Sequence, residues 1–200
     1  PALGRYLAWL GGVLHGDFGH SFTSREAIAP VLLDRLANTL SLAFFTAIVA
    51  VPLALTIGFI SARYQGSWID RLLNLFTRAA VSLPEFFSGY LLILIFSITL
   101  FWLPSNSSIA DDMPLGDRLL AIALPCMTLI FAILGHMSNM TRAALVSAQN
   151  AAYVDTALMK GLSPSAILFR HVLPNAWGPI INVIVLNLAW LMVGVVIVEN

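Results

Sequence analysis

The chain has 200 residues, 59% of them hydrophobic and only 10% charged, with a formal net charge of zero. A soluble domain is about 25% charged, so this composition cannot cover a globule with a wettable surface and points to a membrane protein. Charge balance argues against a nucleic-acid partner. The single Cys126 excludes an intrachain disulfide or a zinc site made of cysteines alone, and His15, His20, His136 and His171 lack metal-ligand spacing on a shared helical face.

Taken in chain order, residues 1–35 read as an extracytoplasmic or interfacial segment. Leu3, Leu7, Leu10 and Leu14 share one helical face with Tyr6 and Trp9 beside it, the pattern of a helix lying at a membrane surface. The run "HGDFGHS" then ends that helix, with Gly16 and Gly19 on either side of Asp17. The opening at Pro1 and the stop at "VVIVEN" read as an internal stretch of a longer protein, and "RYLAWLGGVLHGD" lacks the basic leader and cleavage site of a signal peptide.

A bilayer core about 30 Å thick needs roughly 20 apolar residues of helix. Four runs from residue 36 onward meet that length, which makes residues 36–200 an all-α, polytopic transmembrane domain. The first is 36–62, between Arg35 and Arg63; the second is 84–103, apolar from Phe86 and closed by Trp102 and Pro104. The third is 119–141, between Arg118 and Arg142, and the fourth is 172–198, ended by Glu199. Pro52, Pro84 and Pro125 are expected to kink these helices rather than break them. The segment 72–83 lengthens the second run beyond the bilayer, so Pro84 is expected to bend it and leave the first half at the interface.

Charge gives the orientation. Arg63, Arg71 and Arg78 follow the first run, and Arg142, Lys160 and Arg170 lie between the third and fourth, whereas the loop between the second and third carries Asp111, Asp112 and Asp117. Basic residues gather on the cytoplasmic side, which puts 63–78 and 142–171 inside.

The segment 142–171 is richer in polar residues than a plain connector needs. Residues 142–159 are good helix formers, Gly161 fits the left-handed position that closes a helix, and Ser163-Pro164 fits N-cap and first position of the next. That second helix is expected to run to Pro174, where the fourth span begins. The result is a helix–turn–helix stiff enough to transmit force. On their own, Gly161 is also an ordinary helix cap, and Asp155 and Lys160 also fit a solvated face.

At this point the residues resemble the cytoplasmic "EAA" loop of binding-protein-dependent ABC importer permeases. Asp155 stands at the Glu position, Thr156 and Ala157 at the two alanines, Gly161 at the glycine, and Leu173-Pro174 at the closing Leu-Pro; "NAA" at Asn150–Ala152 is out of register with Gly161. Asp for Glu, Thr for the first Ala, and His171 for the usual isoleucine depart from the pattern. The wording "TAxxKGLS", which includes Lys160, is similar to the dipeptide/oligopeptide/nickel branch, and so are "WLGGVLHGDFGHSF" and "RLANTLSLA". The resemblance implies a type I importer transmembrane domain with about four of its six spans present. It further implies a second homologous permease subunit, two ABC ATPase subunits that bind ATP and Mg, and an extracytoplasmic solute-binding protein. The setting it implies is the inner membrane of a prokaryote, in contact with lipid, and the solute a peptide or a relative such as nickel or glutathione.

Polar residues within spans usually face the bundle interior or a water-filled path. His136, Asn139 and Asn187 are the candidate path residues. Ser138 is expected instead to make an interhelical hydrogen bond, worth about 0.6 kcal/mol, and Asn182 and Asn187 cannot share one narrow stripe. Glu85 sits near the inner interface, where a carboxylate can snorkel. The chain carries no G-x-x-x-x-G-K-[ST] loop, no Gly-x-Ser-x-Gly elbow and no poised carboxylate pair, so it is expected not to hydrolyse ATP and to need no cofactor of its own. An ion-coupled transporter or channel is the alternative, but it needs intramembrane ionisable residues, and only His136 qualifies.

Overall fold

The computed structural model describes residues 2–23, 25–105 and 113–199, with the side chains of Leu115 and of residues 193–199 left aside. Asp111 and Asp112 of the acidic loop lie outside the described residues. The helices are α1 (Ala2–Leu14), α2 (Ile28–Arg63), α3 (Trp68–Ser82), α4 (Glu85–Leu92), α5 (Leu115–Gln149), α6 (Ala152–Met159), α7 (Pro164–Ile167) and α8 (Leu173–Glu199). Among the described residues the strand-like pairing is one isolated antiparallel bridge, His20 to Ala27.

Residues 1–41 and 42–200 form two compact units. In the first, α1 buries no residue, and Leu3, Leu7 and Trp9 stay more than half exposed. The chain turns out of α1 through Gly16 and Gly19, both at positive φ, with the Asp17 carboxylate accepting from Gly19 N–H at 2.9 Å. Helix α2 begins at Ile28, two turns before the apolar run at Leu36, and Asp34 and Arg35 sit exposed on it.

In the second unit, α2, α5 and α8 carry the apolar core. Ala50, Ala54, Leu129, Ile133, Met137 and Val183 are buried together. Among the described residues, three helices are long and apolar enough to cross a membrane, Ile28–Arg63, Gly116–Gln149 and Pro164–Met192, or four if Trp68–Ser82 with Glu85–Thr99 counts as one broken span. Pro52 and Pro125 remain inside continuous helices. Pro84 behaves differently from the expected kink. Leu83 is extended at φ −90°, ψ 128°, and the axes on either side meet at 103°, so the helix breaks into a corner. A proline crowds the residue before it out of the helical region.

Small residues let the helices approach. A Cβ on Gly58 of α2 would lie 2.8 Å from the Ser138 carbonyl oxygen of α5, and one on Gly135 of α5 would lie 2.5 Å from the Thr77 carbonyl oxygen of α3. Such backbone-to-backbone proximity is how helices gain contact in lipid, where water exclusion between them supplies little.

Candidate coupling element and polar seam

Helix α5 does not end at the membrane boundary the sequence marked at Thr141. It runs on for two more turns to Gln149, so the expected helix over 142–159 is split: its first half belongs to α5 and its second is the short α6. The break falls at Asn150 and the extended Ala151, and the Tyr153 hydroxyl donates to the Ala148 carbonyl at 2.8 Å, satisfying one of the carbonyls freed at the end of α5.

Closure of α6 follows from Gly161, which sits at φ +77°. The Leu162 N–H donates to the Ala157 carbonyl at 3.2 Å and the Gly161 N–H to the Leu158 carbonyl at 2.9 Å, the paired bonds of a Schellman cap. Ser163 then caps α7, its hydroxyl accepting from the Ala166 N–H at 3.3 Å, with Pro164 in the first turn. Pro174 starts no new helix. The chain widens to a π-turn over Leu168–Val172, where Leu173 N–H bonds to Leu168 O, and continues into α8. Widening moves the preceding carbonyls away from the proline ring, which has no N–H to offer them. The turn after Gly161 is therefore continuous with a membrane-length helix.

One face of α6 is anchored. Val154 and Ala157 are buried with Ala62 of α2, Leu145 of α5 and Ile167, Leu168 and Val172 beyond the turn, and Leu173 packs on this cluster while Pro174 is exposed. The other face is open: Asp155, Thr156, Lys160 and Gly161 are exposed. Asp155 in the first turn and Lys160 at the C-cap both suit the helix dipole, and the Thr156 hydroxyl donates to Ala152 O at 3.2 Å. Met159, which the sequence reading passed over, is 82% exposed on this face. Its signal was its place one turn after Asp155.

A second feature escaped the sequence reading. The Arg142 guanidinium meets the Asp70 carboxylate through two bonds of 2.8 Å, Nε to Oδ1 and Nη2 to Oδ2. Ser61 of α2 donates to the same carboxylate, Asn74 donates to it at 2.6 Å, and Gly66 N–H does so at 2.9 Å. Asp70 lies in the first turn of α3 and is buried, so these donors supply the partners that a carboxylate out of water requires. Farther along, Thr77 donates to Asn139 Oδ1 at 2.9 Å and the Thr77 carbonyl rests over Gly135. Contacts from 70 to 142, 77 to 139 and 81 to 135 make an antiparallel seam between α3 and α5. Asn139 is thus engaged within the seam.

His136 and Asn187 do meet, His136 Nδ1 lying 3.2 Å from Asn187 Oδ1. His136 is exposed and Asn187 buried, while Asn182 is exposed, in keeping with the separate faces expected of the two asparagines. Ser138 makes no interhelical hydrogen bond: its hydroxyl is buried without a partner, because the helices touch there through its backbone carbonyl and Gly58. Glu85 opens α4, where a carboxylate suits the helix N-terminus.

The family model of the binding-protein-dependent transport system inner membrane component matches residues 54–200. The chain belongs to that family. It is 33% identical over 98% of its length to a probable peptide ABC transporter permease protein of Sinorhizobium fredii. It is 30% identical over its whole length to an oligopeptide transport system permease protein of Bacillus subtilis, and 31% identical, again over its whole length, to a glutathione transport system permease protein of Escherichia coli K12. The chain spans 63 to 64% of the length of these relatives. The all-helical transmembrane architecture expected from composition is that of this family of inner membrane components. The matched region contains α6, its Gly161 turn and the whole α3–α5 seam.

In this permease-family chain, Asp70→Ala is expected to lower stability by about 3 kcal/mol, since it leaves a partly buried guanidinium partnered by Ser61 alone. The side chains are 24% exposed for Arg142 and 6% for Asp70, which sets the effect at the lower end of the range for breaking a buried pair. The double replacement Asp70→Leu with Arg142→Leu should be milder than either single change, because no charge is stranded. Thermal unfolding of the purified protein in detergent, read by tryptophan fluorescence, checks both.

Proposed function

We propose that this chain forms the membrane core of a permease subunit in an ATP-driven importer of peptides or a related small solute such as glutathione or a nickel complex. Its partners are a second homologous permease, two ATPase subunits that bind ATP and Mg, and an extracytoplasmic solute-binding protein, in the cytoplasmic membrane of a bacterium. The observation that carries this reading is the exposed, capped α6, anchored on one face to α2, α5 and the turn leading into α8. Peptide and glutathione transport in the names of its relatives supports the solute class.

In this mechanism the cytoplasmic ATPase subunit seats on Asp155, Thr156, Met159, Lys160 and Gly161. ATP binding closes the ATPase pair and pushes α6, and the push passes through Val154 and Ala157 into α5 and α8. Helix α3 follows α5 through the Asp70–Arg142 pair. The spans then tilt from an inward-open to an outward-open path. Reversing a population from 1:99 to 99:1 takes about 5.5 kcal/mol of differential binding, so a soft linkage would dissipate it. A short capped helix on an apolar seat is stiff enough.

The test separates the chain from its partners. The purified full-length permease alone should hydrolyse no ATP, and the assembled complex in vesicles should hydrolyse it and accumulate labelled peptide. Hydrolysis by the permease free of other subunits, or peptide accumulation without any ATPase, would sink the proposal.

A further inference from the structure

The pair His136–Asn187 has a defined polarity. Asn187 Nδ2 donates to the Val183 carbonyl at 2.7 Å, which leaves Oδ1 as the atom facing His136 Nδ1 at 3.2 Å. Turning the amide over would set Oδ1 against that carbonyl, acceptor against acceptor. An amide oxygen only accepts, so Nδ1 carries a proton here, and in a neutral imidazole that leaves Nε2 as a bare acceptor. Asn187 is 5% exposed and cannot itself be reached, whereas His136 is exposed beside Met140 and Ala143 on α5. Hydrocarbon offers no donor to Nε2, and an unmet acceptor there is costly. Water or a donor-bearing solute meets it at no such cost.

We infer that His136 offers Nε2 as a hydrogen-bond acceptor to the passing solute, and that Asn187 is a positioning residue that fixes the tautomer. This rests on the import reading above and adds to it the chemistry of the contact: the group taken is a donor, the ammonium or amide N–H of a peptide. An imidazole held in the opposite tautomer would present N–H to the path and favour carboxylates instead.

The experiment uses the full-length chain in its assembled complex, with 15N-labelled histidine for the tautomer and trialanine as the solute probe. Nitrogen shifts of His136 should report a protonated Nδ1 and a bare Nε2. Asn187→Leu should mix the tautomers, and Asn187→Asp, which keeps an acceptor in place, should preserve the wild-type form. Carbethoxylation of His136, followed by mass spectrometry, should be slowed by trialanine and less by its N-acetyl form. Uptake of trialanine at concentrations well below saturation should fall about tenfold in His136→Leu, the loss expected for one hydrogen bond to a charged donor, with ATP hydrolysis by the complex retained. A protonated Nε2 in the wild type overturns the inference. So does a His136 that never reacts in the complex, which would mean that a second permease subunit covers it. Peptide uptake by the wild type with His136→Leu unchanged overturns the histidine's role alone; no peptide uptake by the wild type overturns the solute reading and the role together.

Discussion

Replacing Gly161 by valine is expected to abolish uptake while leaving the protein in the membrane at near-normal levels. Gly161 has φ +77° and nothing within 4 Å of where a Cβ would stand, so the cost is conformational and not a clash. A left-handed residue with a side chain costs about 1–2 kcal/mol, and a β-branched one strains further. The eight residues of α6 are too few to hold as a helix unaided, and the bonds from Gly161 and Leu162 N–H are what close it. Losing them frees Asp155, Met159 and Lys160 from a common face. The membrane-length helices lie elsewhere in the chain and keep their packing. Gly161→Asn should retain most uptake, because asparagine tolerates this conformation, and Gly161→Ala should fall between. The measurement is ATP-dependent peptide uptake in vesicles beside the amount of ATPase that co-purifies. Full uptake by the valine variant, with ATPase bound normally, would make this turn a plain connector.

The second large effect is structural. Gly135→Leu should prevent α3 from seating on α5, and even Gly135→Ala should lower stability by about 1–3 kcal/mol, the usual cost of overpacking. A Cβ there meets the Thr77 carbonyl oxygen at 2.5 Å and Val81 Cγ2 at 2.7 Å. Backbone cannot turn aside as a side chain can, so α3 must move as a body. That movement stretches the Thr77–Asn139 bond and, farther along the seam, the Asp70–Arg142 pair. Gly178→Ala in α8 is the control, with nothing within 4 Å of the added carbon; it should be neutral or slightly stabilising, since alanine is the better helix former. Apparent melting temperatures in detergent order the variants. Equal temperatures for Gly135→Ala and Gly178→Ala would show that α3 rides on α5 more loosely than the seam implies.

Much of the coupling element was legible because its chemistry is local. A glycine at a helix end, followed by Ser163-Pro164, specifies a left-handed closure and a new start whatever surrounds it, and the structure forms both. The length of the preceding helix was not legible in the same way. Residues 142–159 have helical composition throughout, and only the meeting of Tyr153 with the Ala148 carbonyl and of Val154 with the shared core marks where α5 stops and α6 begins. Pro174 misled in the opposite direction, since a proline reads as a boundary unless a widened turn absorbs it.

By itself the sequence determined the solvent this protein suits and the closing turn of α6. Apolar composition and adjacent residues act over one helix length or less, without reference to the rest of the chain. Only the tertiary structure decided that Arg142, counted in the sequence merely as a positive charge near the cytoplasm, is the partner of Asp70, 72 positions away. It also decided that Gly135 is a crossing point and that Asn187 Oδ1 lies against His136 Nδ1. These depend on where helices cross and how closely their backbones approach, and in a chain of mostly apolar residues many crossings satisfy the same pattern. The few polar groups select among them, because each buried one is stable only where the fold supplies its partner.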